Sequence, residues 1–389
     1  MKTKNNNLIY FIAGEASGDL HGANLIKQFK NQTNDTLIFR GLGGPLMQKE
    51  GFTCVENFAR LSVMGFYEVL KDLLFFLKLK RKIMKDIITQ KPAKIILIDY
   101  PGFNLKIAES VKKNTNTKVY YYVSPQLWAW KEKRIDLIKK FVDEMIVIFP
   151  FEVEWYQKRG LGVKYFGHPL VDVYSKTTRK PKPNTITIGL FPGSRKQEIK
   201  KHLPVMQSII RYLETYYNTD KRWQNHRLQF IVGILKNSNL TVDWLQTSSA
   251  SNIKIIRDSF VAFEKCDVAI VASGTATLEC AITQTPMVVI YKTSQISWWI
   301  TKYFINIPFA SIVNILANKK IISEYLQSSC IDSCIAKEVI QLQNPDYLDG
   351  DITRNEPSRI WQIKNMRTVI EKLGGGTAYK QTANFILKS

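Results

Sequence analysis

The chain has 389 residues, with 55 Lys and Arg against 33 Asp and Glu, a formal charge of +22. Hydrophobic residues make up 45% and charged residues 23%, which excludes a disordered or collagen-like chain and, at this length, predicts about two domains. The excess of base calls for an anionic partner, whether phosphate, nucleic acid or an acidic membrane surface, and composition does not choose among them.

The first apolar run, Leu8 to Ala13, meets Glu15 and Asp19 at once, so it is too short for a signal peptide and reads as a buried first strand. Further strands are predicted over 37–41, 94–99, 118–123, 145–149 and 163–166, then over 185–191, 228–233, 253–256, 267–272 and 286–291. Helical periodicity fills most of the intervals. That alternation predicts an α/β architecture of two doubly wound parallel sheets covered on both faces. The basic, Pro-rich stretch Ser175 to Asn184 reads as the linker, which sets domains at 1–174 and 185–355. Beyond about 320 the pattern is helical, with a break at Gly374-Gly375-Gly376. The greasy region Ile296 to Leu316 contains Lys302, Asn306 and Pro308 and falls short of the ~20 clean apolar residues of a membrane span. The chain is therefore expected to be soluble or bound to a membrane face. Five scattered cysteines without a C-x-x-C argue against a disulfide framework or zinc site and for a reducing compartment.

Several strand ends carry candidate chemistry. The first strand runs into Gly14-Glu15-Ala16-Ser17-Gly18-Asp19, where glycines and a helix start favour a ligand's close approach. A tight turn with Asp19 capping the following helix explains the loop equally well. Gly41 to Pro45 is a similar turn. Ile95 to Ile98 form a buried strand with Asp99 at its carboxyl end, where open α/β sheets place their ligand crevice. Desolvation there raises a carboxyl pKa and suits it to accept a hydroxyl proton, while a helix cap for the segment near Phe103 remains the alternative. In Ser124-Pro125-Gln126-Leu127-Trp128-Ala129-Trp130 the two indoles suit a sugar ring, a membrane interface or simple packing.

In the second half, Pro192-Gly193-Ser194-Arg195 offers a close backbone approach, a capping hydroxyl and a guanidinium fork for phosphate. Ser273-Gly274-Thr275 repeats the theme as a diphosphate cradle, with Glu279 one turn on, placed to accept from ribose hydroxyls. No Walker or zinc signature occurs, and the one D-x-D, Asp349-Gly350-Asp351, reads as a turn. Neither a metal nor a cofactor is expected. Of the four histidines only His168, in Gly167-His168-Pro169, is a functional candidate.

The blocks AGEASGD (13–19), GLGG (41–44), VMGFYEVL (63–70), IDYPGFN (98–104), YYVSPQLWAWK (121–131), PFE (150–152), FGHPLVD (166–172), FPGSR (191–195), ASGTATLE (272–279) and PMVVIYK (286–292) occur in order over nearly the whole chain. Together they resemble the lipid-A-disaccharide synthases. The resemblance implies a GT-B fold, two Rossmann-like domains facing a cleft, with C-terminal helices (356–389) returning to the first domain. It implies an inverting hexosyltransferase that joins UDP-2,3-diacylglucosamine to 2,3-diacylglucosamine 1-phosphate (lipid X), giving the β-1,6-linked disaccharide phosphate and UDP. It also implies a cytoplasmic enzyme peripheral on the inner face of the inner membrane, and a homodimer joined through the C-terminal part. Asp99 falls on the family's essential aspartate, Arg195 on the Arg of P-G-S-R, and Asn314 on an Asn associated with activity. Gly14, Glu15, Ser17 and Gly18 would form the acceptor-side loop. Two positions depart from the family pattern: Gly102 stands where an Asp is usual, and Ser323 replaces the usual Pro before Glu324.

The implied chemistry has Asp99 take the proton of the acceptor 6-hydroxyl while Arg195 and the N–H groups of Ser273 to Thr275 meet the charge on departing UDP. It asks for no divalent ion. Acylated substrates require contact with a bilayer. Phe66, Leu73, Phe75 and Phe76 beside Lys78, Lys80, Arg81 and Lys82 suit a helix on anionic lipid, though a helix covering the sheet would look the same. Trp298, Trp299, Tyr303 and Phe304 are a second candidate. The competing readings are another UDP-sugar GT-B enzyme (a UDP-N-acetylglucosamine epimerase or peptidoglycan-precursor transferase) and a nucleic-acid-binding protein. The charges are spread along the chain with no RRM, KH or zinc-finger pattern, so no nucleic-acid partner is expected.

Overall fold

A computed structural model describes residues 5–57, 73–174, 184–223, 225–234, 252–294, 308–343 and 359–389. The predicted linker apart from Asn184, the Trp298–Phe304 cluster, Asp349 to Asp351, Phe66 and the VMGFYEVL block lie outside the described residues.

The chain divides into two compact units. Residues 1–173 and 373–389 form the first, and 174–372 the second. In the first unit, strands β1 (Asn5–Ala13), β2 (Ile38–Gly43), β3 (Thr53–Asn57), β4 (Pro92–Ile98), β5 (Lys118–Tyr122), β6 (Glu144–Val147) and β7 (Lys164–Tyr165) make one parallel sheet in the order β3-β2-β1-β4-β5-β6-β7. Ile95 to Ile98 of β4 pair in register with Tyr10 to Ala13 of β1 and Val119 to Tyr122 of β5, and all four are at most 1% exposed. Each such aliphatic side chain contributes about 1.5–3 kcal/mol by leaving water. A strand apolar at successive positions is stable only with helices on both faces, and the helices Ala16–Thr33, Leu73–Gln90 and Pro101–Asn114 help to supply them.

The second unit has strands β8 (Thr185–Phe191), β9 (Arg227–Gly233), β10 (Ile253–Ile256), β11 (Val268–Ala272), β12 (Met287–Tyr291) and β13 (Glu324–Leu326), all parallel, in the order β10-β9-β8-β11-β12-β13. Both sheets reverse their winding once, between β1 and β4 in the first unit and between β8 and β11 in the second. Those reversals are the topological switch points where open sheets leave a crevice for a ligand.

One expectation about the C-terminus is corrected. The helices of 356–389 do not all return to the first unit. The helix Arg359–Glu371 belongs to the second, burying Met366 and Val369 in its core, and the Gln362 amide exchanges two hydrogen bonds with the backbone of Met287. Only the helix Ala378–Lys388 packs in the first unit, against Ala16–Thr33. The Asp172 carboxylate accepts from the N–H groups of Ala378 and Tyr379 at its start, and Lys94 donates to the carbonyls of Ile386 and Leu387 at its end.

Candidate functional site

At the first unit's switch point the ends of β1 and β4 present Gly14-Glu15 and Asp99. The chain turns sharply there: Asp99 and Tyr100 are both left-handed, with φ of 46° and 48°. Consecutive non-glycine residues in that region store strain of about 1–3 kcal/mol each and are held by their surroundings. Here the hold is specific. The Asp99 N–H continues the ladder to the Tyr122 carbonyl, and its own carbonyl accepts from Asn104 Nδ2 at 2.7 Å and from the Tyr121 hydroxyl at 2.6 Å. Asn104, fully buried, also donates to the carbonyl of Ile98. With the backbone so braced, the carboxyl is pushed up from 3.8 to about 6, first by burial and then by the nearby Glu15 carboxylate, against a lowering hydrogen bond from the backbone of Tyr100. It is largely ionised near neutrality yet basic enough to take a proton. Gly14 makes room for this turn, since a Cβ there would stand 2.5 Å from the Tyr100 ring.

At the second unit's switch point, β8 ends in Pro192-Gly193-Ser194-Arg195 and β11 in Ser273-Gly274-Thr275. Gly193 has φ 106°, and a Cβ on it would lie 3.5 Å from that of Ala272, so the two loops lie side by side. Arg195 precedes the helix Lys196–Thr219 with its side chain 81% exposed and one guanidinium nitrogen 3.0 Å from Glu198. Ser194 is exposed and does not cap that helix; Arg195 occupies the capping position without a side-chain bond. The Ser273 N–H is bonded to the Ile290 carbonyl and its hydroxyl to the Ala310 carbonyl, so the N–H groups left for an anion are those of Gly274 and Thr275, which have no acceptor among the described residues.

Residues 9–356 match the family described as lipid-A-disaccharide synthetase. The chain belongs to that family. The lipid-A-disaccharide synthase 1 of Legionella pneumophila (strain Philadelphia 1) is 38% identical, covering 83% of this chain and 84% of the relative. The lipid-A-disaccharide synthase of Geobacter metallireducens is 35% identical, covering all of this chain and 98% of the relative. Among solved structures, the S. aureus MnaA–UDP co-structure superposes with a TM-score of 0.63 at 13% identity, covering 98% of this chain and 96% of that one. At that identity the likeness speaks to the fold alone, which is GT-B, with two Rossmann-like units in one chain.

Several residues of this lipid-A-disaccharide synthetase family member are placed differently from expectation. Asp19 does not cap its own helix; its carboxylate accepts from the N–H groups of Gly44, Leu46 and Met47 and so caps the next one, Pro45–Lys49. The loop members Glu15 and Ser17 are exposed at the strand end, whereas Gly18 is buried with its Cα hydrogen side close to Ala13. Asn314, expected against substrate, is fully buried. Its Oδ1 accepts from the N–H groups of Ile321 and Ile322 and its Nδ2 donates to the Ile322 carbonyl and Glu324. Glu324 in turn accepts from the backbone of Ala310 and Ser311, and Ala310 receives the Ser273 hydroxyl. Asn314 therefore braces the floor of the Ser273 loop. Glu279 accepts from the Ser259 hydroxyl at 2.5 Å, and burial raises its carboxyl. Gly102 faces open space, so packing does not forbid the family's usual acid there.

His168 is buried, accepts from the Leu170 N–H and is driven down to about 3 by burial, which marks a neutral structural ring. The histidine that holds a loop of the site is His202, which no sequence motif marks. His202 Nδ1 donates to the Pro192 carbonyl at 2.7 Å while Nε2 accepts from the Lys292 N–H at 2.9 Å, tying the Gly193 loop to the end of β12. Glu152 is equally hidden: it collects the Ser124 hydroxyl and the N–H groups of Ile148 and Phe149, and burial pushes it up to about 7.

A helix runs over Leu73–Gln90 in the segment expected to meet lipid, but Phe75 and Phe76 face inward, Phe76 lying 6.1 Å from the Phe103 ring. The outward face carries Leu74 (71% exposed) and Leu77 with Lys78, Arg81 and Lys85, while Lys80 is half-buried and Lys82 pairs with Glu56. The side chain of Leu73 lies outside the described residues. No helix among the described residues is long and apolar enough to cross a membrane.

Proposed function

We propose that this chain makes the lipid A disaccharide for which its relatives are named by joining UDP-2,3-diacylglucosamine to 2,3-diacylglucosamine 1-phosphate with inversion at the anomeric carbon. The acceptor 6-oxygen forms the new bond to the donor anomeric carbon as the bond from that carbon to the UDP oxygen breaks. Asp99 accepts the hydroxyl proton, and the negative charge gathered on UDP is met by Arg195 and the N–H groups of Gly274 and Thr275. The observation that carries the reading is the carboxyl at the first unit's switch point, raised to about 6 and fixed by a doubly hydrogen-bonded backbone.

The acyl chains of both substrates bring the enzyme to a bilayer as a peripheral protein of the cytoplasmic face. Leu74 and Leu77, flanked by Lys78, Arg81 and Lys85, supply an apolar tip and a basic face suited to anionic lipid. Flotation with anionic vesicles at low and high salt tests this contact. Salt-sensitive binding lost in Leu74→Glu supports it, and no binding at either salt removes it.

A coupled UDP-release assay with the two lipids tests the reaction. Turnover is expected with the acylated donor and not with UDP-N-acetylglucosamine, and Asp99→Ala is expected to abolish it while UDP still binds. Turnover retained in Asp99→Ala, or a preference for the unacylated sugar nucleotide, overturns the reading.

A further inference from the structure

We infer that the corner formed by Lys131, Lys133 and Arg134 in the first unit, with the Trp130 ring beside it, is the seat of the acceptor's phosphate. This inference rests on the reaction proposed above and names a site for the part of the acceptor which that mechanism does not touch.

The three cations line an open cavity of about 390 Å³ together with Leu137. They fall within four residues because the chain turns there: Lys131 is left-handed at φ 54°, and the Arg134 N–H returns to the Lys131 carbonyl at 3.0 Å. The one acid in the turn, Glu132, is engaged by Arg159 at 2.6 Å. No carboxylate pairs with Lys131, Lys133 or Arg134 among the described residues. Three positive groups are thus held together with no internal counter-charge. The Lys131 ammonium registers this crowding, lowered by desolvation and by the charge of Arg134.

Trp130 is 43% exposed, with Lys131 Nζ 4.4 Å and the Arg134 guanidinium 6.0 Å from its ring centroid. An exposed indole flanked by cations offers a sugar ring a face to stack on and its phosphate a charged rim. Trp128, by contrast, packs edge-on against Phe151.

The corner and the proposed base follow neighbouring strands of one sheet: Asp99 comes directly after β4, and the corner lies beyond the end of β5, which pairs with β4 in parallel. The Tyr121 hydroxyl that holds the Asp99 carbonyl, raised well above its usual value first by burial and then by the Asp99 charge, also feels the opposing charge of Arg134. A hexose 1-phosphate carries its 6-hydroxyl and its phosphate at opposite ends of one ring. With the hydroxyl at Asp99, the phosphate at the other end of the ring needs a cationic site elsewhere on the same edge of the sheet, and a phosphomonoester bearing ≈ −1.5 to −2 charges calls for several donors, including a guanidinium fork.

The test compares wild type with Arg134→Ala, Lys133→Ala and the charge-keeping Arg134→Lys in detergent micelles, where no bilayer surface contributes. Loss of a charged hydrogen bond predicts an acceptor KM raised about ten- to hundredfold in Arg134→Ala, with partial recovery in Arg134→Lys and the donor KM held. With an acceptor lacking the phosphate, the gap between wild type and variant should close. Calorimetric titration of glucosamine 1-phosphate, which is independent of turnover, should show binding to wild type and none to Arg134→Ala. An unchanged acceptor KM, an equal penalty with the dephosphorylated acceptor, or vesicle binding lost with micellar kinetics intact overturns the site, the last by making it a bilayer contact. Wild type that releases no UDP refutes the reaction instead, and glucosamine 1-phosphate binding that depends on Arg134 would still uphold the phosphate seat.

Discussion

Replacing Asp99 by Asn should destroy activity and make the protein more stable. The carboxyl is raised from 3.8 to about 6, so the folded first unit holds this proton more tightly than the unfolded chain does. Two units correspond to about 3 kcal/mol. Because the folded-state value is the higher one, the stabilisation is fully present below the unfolded value near 4 and is lost as the pH climbs through about 6. The wild-type chain thus ionises a buried group at neutrality at a cost of up to ~3 kcal/mol, which an uncharged Asn does not incur. Asn is also among the side chains best suited to the left-handed backbone at this position, and its oxygen can still accept from the Tyr100 N–H. Thermal unfolding of both proteins should show Asp99→Asn higher by several degrees at about pH 8, with the gap closing toward about pH 4. A variant no more stable than wild type at the alkaline end, or a gap independent of pH, would refute the claim that the carboxyl is destabilised in place.

Glu15→Gln removes the charge that helps to raise Asp99, so the acid limb of kcat/KM should move to lower pH; an unmoved limb dissociates the two carboxyls. Arg195→Ala should weaken UDP binding by about 1.5–3 kcal/mol in calorimetry while leaving unfolding nearly unchanged, because the side chain is 81% exposed; a large loss of stability would give it a structural role instead. Asn314→Ala strands the N–H groups of Ile321 and Ile322 and should lower the stability of the second unit by about 1–3 kcal/mol, with any loss of UDP affinity following from a slackened Ser273 loop. Intact stability with lost UDP binding would return Asn314 to the ligand surface.

The interior of the fold was legible because the central strands are continuous aliphatic runs, such as Ile95 to Ile98, that no helix period explains. The edges were not. Both β3, with Cys54 and Glu56 half-exposed, and the three-residue β13 lack the apolar run that marks a buried strand. The helix Arg359–Glu371 was assigned to the wrong unit because its membership is decided by Gln362 bonding to Met287, 75 residues away. The same logic divides the site. Asp99, Gly193 and Gly274 could be found since they end strands, whereas the residues that hold them could not. Asn104 and Tyr121 act on the carbonyl of a left-handed residue, and His202 joins partners ten and 90 residues distant, neither of which leaves a periodic trace.

The two units share one topology and carry opposite chemistry at the same topological position, and electrostatics explains the division. In the first, the switch point gathers Glu15 and Asp99, where burial and then the Glu15 charge keep the Asp99 carboxyl basic and two acids disfavour a diphosphate bound to that loop. In the second it gathers glycines, two N–H groups without acceptors among the described residues and a guanidinium, while the neighbouring acid, Glu198, is paired to that guanidinium. A base for a hydroxyl and a cradle for a leaving diphosphate make contrary demands on local charge. A single loop would have to compromise between raising a carboxyl and attracting phosphate. Two copies of the same crevice, each with its own loop sequence, let each loop carry its own charge, and so a +22 chain places an acidic pair where its catalytic base is proposed.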